Sequence, residues 1–371
     1  MSLDAKGAPG RGPHAPLGGP SGGAPRRRPG EYDLPADPET PAVLWAYDVF
    51  PDGRADPVAP REVGGPKAEG AAYRWIHLDG LAPGAEDWLA SGAAGPLPEI
   101  LAEALTETDT RPRAQAAHGG ALVFLRGVNL NEGADVEDMI SVRVWMNETR
   151  VLTVVLRRLL TVAALRADAE ANRAPARPGV FLTELTEGLA ERMSPVLDAL
   201  EDRADDMEDR AAEAVLGMID PLDPREARRE LAELRRVGIA LRRYLGPQRD
   251  ALTDLRRLSS APLTDLDRAE LGETGDRMTR YVEDLDAIRE RALVLGEEAA
   301  ARAAERSNRA MYVLSIVTAV FLPLGFLTGL LGVNLGGLPG QAAPWGFAVF
   351  VALLAVVAGL ELWLIRKLRL L

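Results

Sequence analysis

The spacing of apolar residues changes twice along the chain. Between Pro41 and about Leu160 they fall in short blocks: "VLWAYDVF" (43–50), "YRWIHLDG" (73–80), "ALVFLRGVNL" (121–130), "MISVRVWM" (139–146) and "RVLTVVLR" (150–157). Such blocks predict strands, and "NET" (147–149) between the last two suits a hairpin turn. "AEDWLAS" (85–91) and "LPEILAEALTE" (97–107) carry a helical spacing instead. The stretch from Pro41 to about Leu160 therefore predicts a small α/β domain with a largely antiparallel sheet. After about Thr161 the strands stop. Stretches rich in Ala, Leu, Glu and Arg take over, broken at "GMIDPLDP" (217–224) and near "SSAPLTD" (259–265). Three long helices follow, at about 179–216, 224–258 and 264–331. At 1.5 Å per residue the last is on the order of 100 Å long. A helix of that length needs neighbours to bury its apolar stripe, which predicts an oligomer.

The second change comes at Met311. Residues 311–331 read MYVLSIVTAVFLPLGFLTGLL, and 345–365 read WGFAVFVALLAVVAGLELWLI. Each run is long enough to cross a hydrocarbon layer of about 30 Å as a helix. Arg302, Arg306 and Arg309 precede the first, and Arg366, Lys367 and Arg369 follow the second, while the loop between them has no charged residue. The positive-inside rule then predicts both termini in the cytoplasm and the loop outside. The fold class is an α+β cytoplasmic domain with long helices plus two C-terminal transmembrane helices. The expected divisions are a tail (1–38), an α/β domain (39–165), long helices (166–310), a first span (311–331), an external loop (332–344), a second span (345–365) and a basic end (366–371). The tail is rich in Gly, Pro and Arg and nearly devoid of large apolar groups, so it predicts a disordered segment. Its "PRRRPG" could touch anionic lipid or simply be solvated.

Composition narrows the chemistry. The chain of 371 residues carries a net charge of −12, no cysteine and three histidines. The acidic balance argues against nucleic acid as a partner. Without cysteine there are no disulfides and no thiolate metal sites. No phosphate-binding loop and no nucleophile with a base are found, so neither an enzyme nor an ATP-driven pump is expected, and no prosthetic group.

Steps of three and four along the first span pick out Asn308, Met311, Ser315, Thr318, Leu322, Gly325, Gly329 and Gly332. Six of these eight are small or polar, whereas the rest of the span is mostly Leu, Val, Ile and Phe. Such a stripe fits either helix–helix contact or a wet wall. Pro323 with Gly325 permits a kink. Continued backward, the same steps reach Glu297, Glu290 and Glu283.

A large cytoplasmic α/β domain, very long helices, two C-terminal spans and the loop Gly332-Val333-Asn334 together resemble the CorA superfamily of divalent-cation transporters. "GVN" in place of the usual Gly-Met-Asn, followed by "LGGLPG", resembles the ZntB branch, associated with zinc. "DTRPRAQ" (109–115), "RGVN" (126–129) and "MISVRVW" (139–145) are similar to that branch too. The resemblance implies a CorA-like homopentameric funnel in the inner (plasma) membrane of a bacterial-type cell. Five first spans would surround a central pore, with the second spans against lipid. Asn308, Met311, Ser315, Thr318, Leu322, Gly325 and Gly329 would line it. Five copies of Gly332, Val333 and Asn334 would form its outer mouth. Glu297, Glu290 and Glu283 would become rings of carboxylates, or stay ordinary solvated charges. The cargo would be a divalent cation, zinc by resemblance, with proton coupling and the direction of transport left open.

Zinc itself is not written in the ligands. It prefers Cys and His. His14 lies in the tail, and His77 and His118 lie in the α/β domain. No fixed Cys/His site results, and His77 in "WIHLDG" reads as a satisfied core histidine. A neutral loop fits a hydrated ion held by amide and backbone oxygens. The acid-rich "DALEDRADDMED" (198–209) reads as a solvated helix face or a collector of cations. Two other readings are a magnesium or cobalt channel of the CorA type, and a membrane-anchored sensor that transports nothing.

Overall fold

Residue 40 and residues 42–95, 97–216, 223–331 and 344–367 are described in the computed structural model. Seven strands form one sheet: β1 (Val43–Val49), β2 (Ala55–Pro57), β3 (Tyr73–Asp79), β4 (Arg113–Ala117), β5 (Gly120–Gly127), β6 (Ile140–Met146) and β7 (Arg150–Val155). Their order is β2-β1-β3-β7-β6-β5-β4. Every neighbouring pair is antiparallel except β3 and β7, which run parallel with Arg74 opposite Arg150 and Leu78 opposite Val154. Two hairpins follow from turn chemistry. Asn147 accepts from the Thr149 amide at 3.0 Å on its Oδ1 and closes the β6–β7 turn. His118 (φ 46°) and Gly119 (φ 70°) close β4–β5, the two left-handed positions that match strand twist.

Helices α1 (Ala85–Ala90) and α2 (Glu99–Thr106) cover one face of the sheet. Ile76, Leu78, Leu122, Phe124, Leu152 and Val154 from the strands bury against Leu89, Leu101 and Leu105. The opposite face is aromatic. Trp75 lies 5.0 Å from Phe181, which belongs to α4 (Pro178–Val215), and His77 stacks on Trp45 at 4.1 Å. A short helix that the apolar pattern does not announce, α3 (Leu160–Glu170), precedes α4. Then come α5 (Pro224–Arg257), α6 (Asp265–Leu331) and α7 (Gly346–Lys367). The bounds of α4, α5 and α6 lie within about a residue of those read from the sequence. The described residues group into two compact units. The first takes those up to Asp198 together with Ala240–Asp284, and the second takes Ala199–Ile239 and those from Leu285 onward.

In the first unit, α6 begins on a reciprocal cap. Asp267 Oδ2 accepts from the Thr264 amide at 2.7 Å, and Thr264 Oγ1 accepts from the Asp267 amide at 3.3 Å. Arg177 adds a two-pronged ion pair to the same carboxylate, at 2.8 and 3.0 Å. Gly179 passes so close that a Cβ there would overlap Asp267 Oδ2 and stand 2.9 Å from the Pro262 carbonyl. Gly179→Ala is therefore expected to cost about 1–3 kcal/mol, the usual range for overpacking a filled site. A urea titration that leaves the midpoint unchanged would show that this junction yields.

Candidate functional site

The sequence stripe lies along α6. Asn308, Met311, Ser315, Thr318, Leu322, Gly325 and Gly329 are all exposed. α6 is also long and apolar enough to cross a membrane, and among the described residues no side chain of its most apolar stretch is buried. α7 contributes a shorter described apolar stretch, Gly346–Glu361. Phe347, Val356 and Leu360 are exposed on it. No Asp, Glu, Lys or Arg occurs between Arg309 and Glu361. So many exposed apolar side chains cannot stay in water, since each buried Leu or Phe is worth about 1.5–3 kcal/mol.

Within the stripe, Thr318 Oγ1 donates to the Leu314 carbonyl at 2.8 Å. Its proton is used inside the helix, so the oxygen presents acceptor lone pairs. An added Cβ at Gly325 or Gly329 would meet no atom within 4 Å. Pro323 lies inside α6, which continues through it as one element. Gly332, Val333 and Asn334 lie outside the described residues.

Lower on α6, Leu285, Ile288 and Ala292 are buried. Glu290 and Glu297 sit about 200° and 180° around the helix from Ile288, and Glu283 about 220°. All three are exposed, on the face opposite the buried one. The acid-rich segment of α4 is partly neutralised by a residue the sequence reading did not single out. Arg291 pairs with Asp205, and with Glu208 at 2.8 Å. The signal was an arginine three residues before an apolar Val294, too common to read.

The histidines divide as their surroundings dictate. His77 is fully buried, with Nδ1 2.7 Å from Thr153 Oγ1. Burial, with Arg166 nearby, pushes its pKa down to about 3, so it stays neutral at physiological pH. His118 is exposed in its turn. Among the described residues, no group of three or more His, Cys, Asp or Glu is placed to hold a metal ion. The stripe offers oxygen acceptors and glycine backbone without a fixed charge. That chemistry suits a hydrated cation in passage better than a bound one.

Residues 70–367 match the family described as CorA-like Mg2+ transporter protein. The chain is 40% identical to the divalent cation transporter CmaX of Pseudomonas aeruginosa over 296 residues, covering 80% of this chain and 86% of that one. It is 33% identical to the zinc transport protein ZntB of Pectobacterium carotovorum over 325 residues, covering 88% and 95%. The structure of the full-length CmaX protein superposes with a TM-score of 0.75 at 37% identity, covering 88% of this chain and 98% of that one.

Proposed function

Since the chain belongs to the CorA-like family of divalent-cation transporters, we propose that it carries zinc across a membrane through a central pore of five copies. It is a transporter and not an enzyme, and the cation is cargo. One observation carries the pore reading. A single continuous helix, α6, ends in an unburied apolar segment, with small and polar residues along one face. Five such faces meeting would satisfy their polar atoms around water, which a lone span in lipid could not do. Gly332, Val333 and Asn334 form the mouth of that pore, and Asn308, Met311, Ser315, Thr318, Leu322, Gly325 and Gly329 line it.

Zinc rests on the ZntB relatives and on Val333 within the uncharged loop. The CmaX relative is named only for divalent cations, so magnesium is the competing cargo. Proteoliposomes loaded with a zinc-sensitive dye, and in parallel with a magnesium-sensitive one, separate the two. Flux of magnesium alone would overturn zinc, and flux of neither would return the chain to a membrane-anchored sensor. Light scattering should give about five times the 39.8 kDa of one chain. Running the zinc assay with and without a pH gradient tests coupling to protons.

Orientation follows from the arginine flanks. Gln341→Cys in this cysteine-free chain should react with an impermeant thiol reagent from outside the cell. Labelling from the cytoplasmic side alone would reverse the topology. The glutamate face of α6 supports an entry funnel of stacked carboxylate rings, which would concentrate cations. Glu297 lies nearest the span, so Glu297→Gln should lower zinc flux several-fold at low ionic strength and little at high, where the Debye length is about 3 Å at 1 M. Equal flux in parent and variant at both salt levels would remove the ring.

A further inference from the structure

In the second unit the two flanks of α6 are set against helices of opposite charge. Leu293 and Ala300 stand about 200° around α6 from Arg291 and Glu298. α4 packs on the side of Arg291 and Glu298, where Glu208, Ala212 and Val294 line a groove. α5 packs on the other side, where Arg228, Ala232, Arg235 and Leu293 line a second groove. Along the first groove α4 shows Glu201, Asp205, Glu208 and Ala212, spaced by four, three and four and all exposed. Along the second, α5 shows Arg228, Ala232, Arg235 and Ile239 at the same spacing, again all exposed. That spacing keeps each set on one face, as in helices that pair side by side. One stripe is acidic and the other basic. Arg291 answers Asp205 and Glu208 from within the chain, which leaves the α4 stripe with an excess of acid.

The stripes also stand level. Asp205 and Glu208 reach Arg291. On the other flank a Cβ at Gly238 would lie 3.4 Å from Arg289 Cγ, while Ala227 and Arg306 line one recess, so α5 runs antiparallel to α6. Arg235, three residues before Gly238, therefore stands about 4.5 Å further along α6, about level with Arg291. Arg203 of α4 meets Glu233 of α5 at 3.6 Å, and these two helices are the arms of a hairpin, so α4 runs parallel to α6. Ala212, four residues beyond Glu208, and Ala232, three before Arg235, then share a level as well. We infer that the two flanks are the halves of one head-to-tail contact between copies, the acidic stripe on α4 of one lying against the basic stripe on α5 of the next. Glu290 and Glu297 face away from the buried side of α6. In the proposed ring that face looks to the axis, which leaves the flanks to the neighbours. Rotation about an axis along α6 keeps every group at its height, so Asp205 and Glu208 of one copy meet Arg235 of the next. A contact between unlike faces repeats around a ring and closes it, whereas like stripes repel. The inference rests on the proposed ring of five and not on zinc as cargo.

The test uses the full, cysteine-free chain in lipid nanodiscs with a short bismaleimide. Ala212→Cys with Ala232→Cys in one chain should give covalent multimers, up to the whole ring, on a denaturing gel. Either cysteine alone should give none, because unlike faces meet. Links within one chain leave its mass unchanged, so multimers report contacts between copies. With both cysteines present, Arg228→Glu with Arg235→Glu should lower the multimer yield several-fold, and adding Glu201→Arg with Glu208→Arg should restore it. Multimers from a single-cysteine chain would mean that like faces meet, and would overturn the contact. So would a ring, intact by light scattering, that yields no multimer from the double-cysteine chain or whose yield ignores charge reversal; the ring itself would then stand. Light scattering that finds one copy of the parent would overturn the ring and the contact with it.

Discussion

Asn334→Ala should leave the assembly intact and lower metal flux by about 10- to 100-fold. From Gly332 to Pro344 the chain has no charged residue, and Asn334 and Gln341 carry its only polar side chains. In the proposed ring of five, Asn334 would supply five amide oxygens at the mouth of the pore. A hydrated divalent ion gives up its water reluctantly, so those oxygens act on the waters of its shell. A hydrogen bond to a charged centre is worth about 1.5–3 kcal/mol, and each 1.4 kcal/mol in a barrier is about tenfold in rate. The mutant would be sized by light scattering and then assayed in liposomes for zinc uptake. Flux near that of the parent would leave Asn334 as a turn residue with no part in selection. A dissociated mutant would give it a structural part instead.

Asp48→Ala should unfold the soluble domain far more readily, by about 3–5 kcal/mol. Asp48 and Arg74 pair on neighbouring strands with only 5% of each side chain exposed. Arg74 Nε donates to Asp48 Oδ1 at 2.7 Å and Nη2 to Oδ2 at 2.8 Å. Its remaining hydrogens reach the carbonyls of Glu62, Val63, Gly65 and Pro66, between 2.8 and 3.1 Å. Asp48 Oδ2 also accepts from the Ala68 amide at 2.8 Å. One ion pair therefore pins the loop from Glu62 to Ala68 against the sheet. Removing the acid strands a buried guanidinium, and that penalty exceeds the worth of the pair itself. Asp48→Leu with Arg74→Met should lose less than Asp48→Ala alone, because no charge is left behind. Urea titration followed by tryptophan fluorescence measures both, since Trp75 is fully buried in the strand that carries Arg74. A single mutant that unfolds at the parent's midpoint would show that water enters and replaces Asp48.

The strands that the pattern announced are those buried along most of their length, β1, β3, β5, β6 and β7. β2 is three residues long, and β4 reads "RAQAA" with no fully buried position, so neither leaves an apolar block. α3 was hidden because "LTVAALRADAE" continues the apolar run of β7 after only a few residues. The long helices were legible from the breakers at 217–224 and 259–265; the structure adds that Pro178 opens α4 and that Thr264 with Asp267 caps α6. The Asp48–Arg74 pair was not legible, because a charge within a strand ordinarily points outward and its cross-strand partner depends on pairing. Of the candidate site, the stripe and the glutamate face could be placed on α6, since helical spacing alone fixes which residues share a face.

The parallel pairing of β3 with β7 sets an order on synthesis. β2 can pair with β1, and β1 with β3, as soon as they emerge, and β4, β5 and β6 can pair among themselves, but only β7 joins the two halves of the sheet. The strand that completes the sheet ends at Val155, about 150 residues before Met311. At about 5–20 residues per second the ribosome needs about 8 to 30 s to cover that distance. Sheet pairing is much faster than that, since hairpins form in about 1–10 μs and whole β domains in milliseconds to seconds. The sheet is therefore complete before the first apolar run leaves the tunnel, and the insertion machinery receives a nascent chain in which every strand but the outermost two, β2 and β4, is paired on both sides.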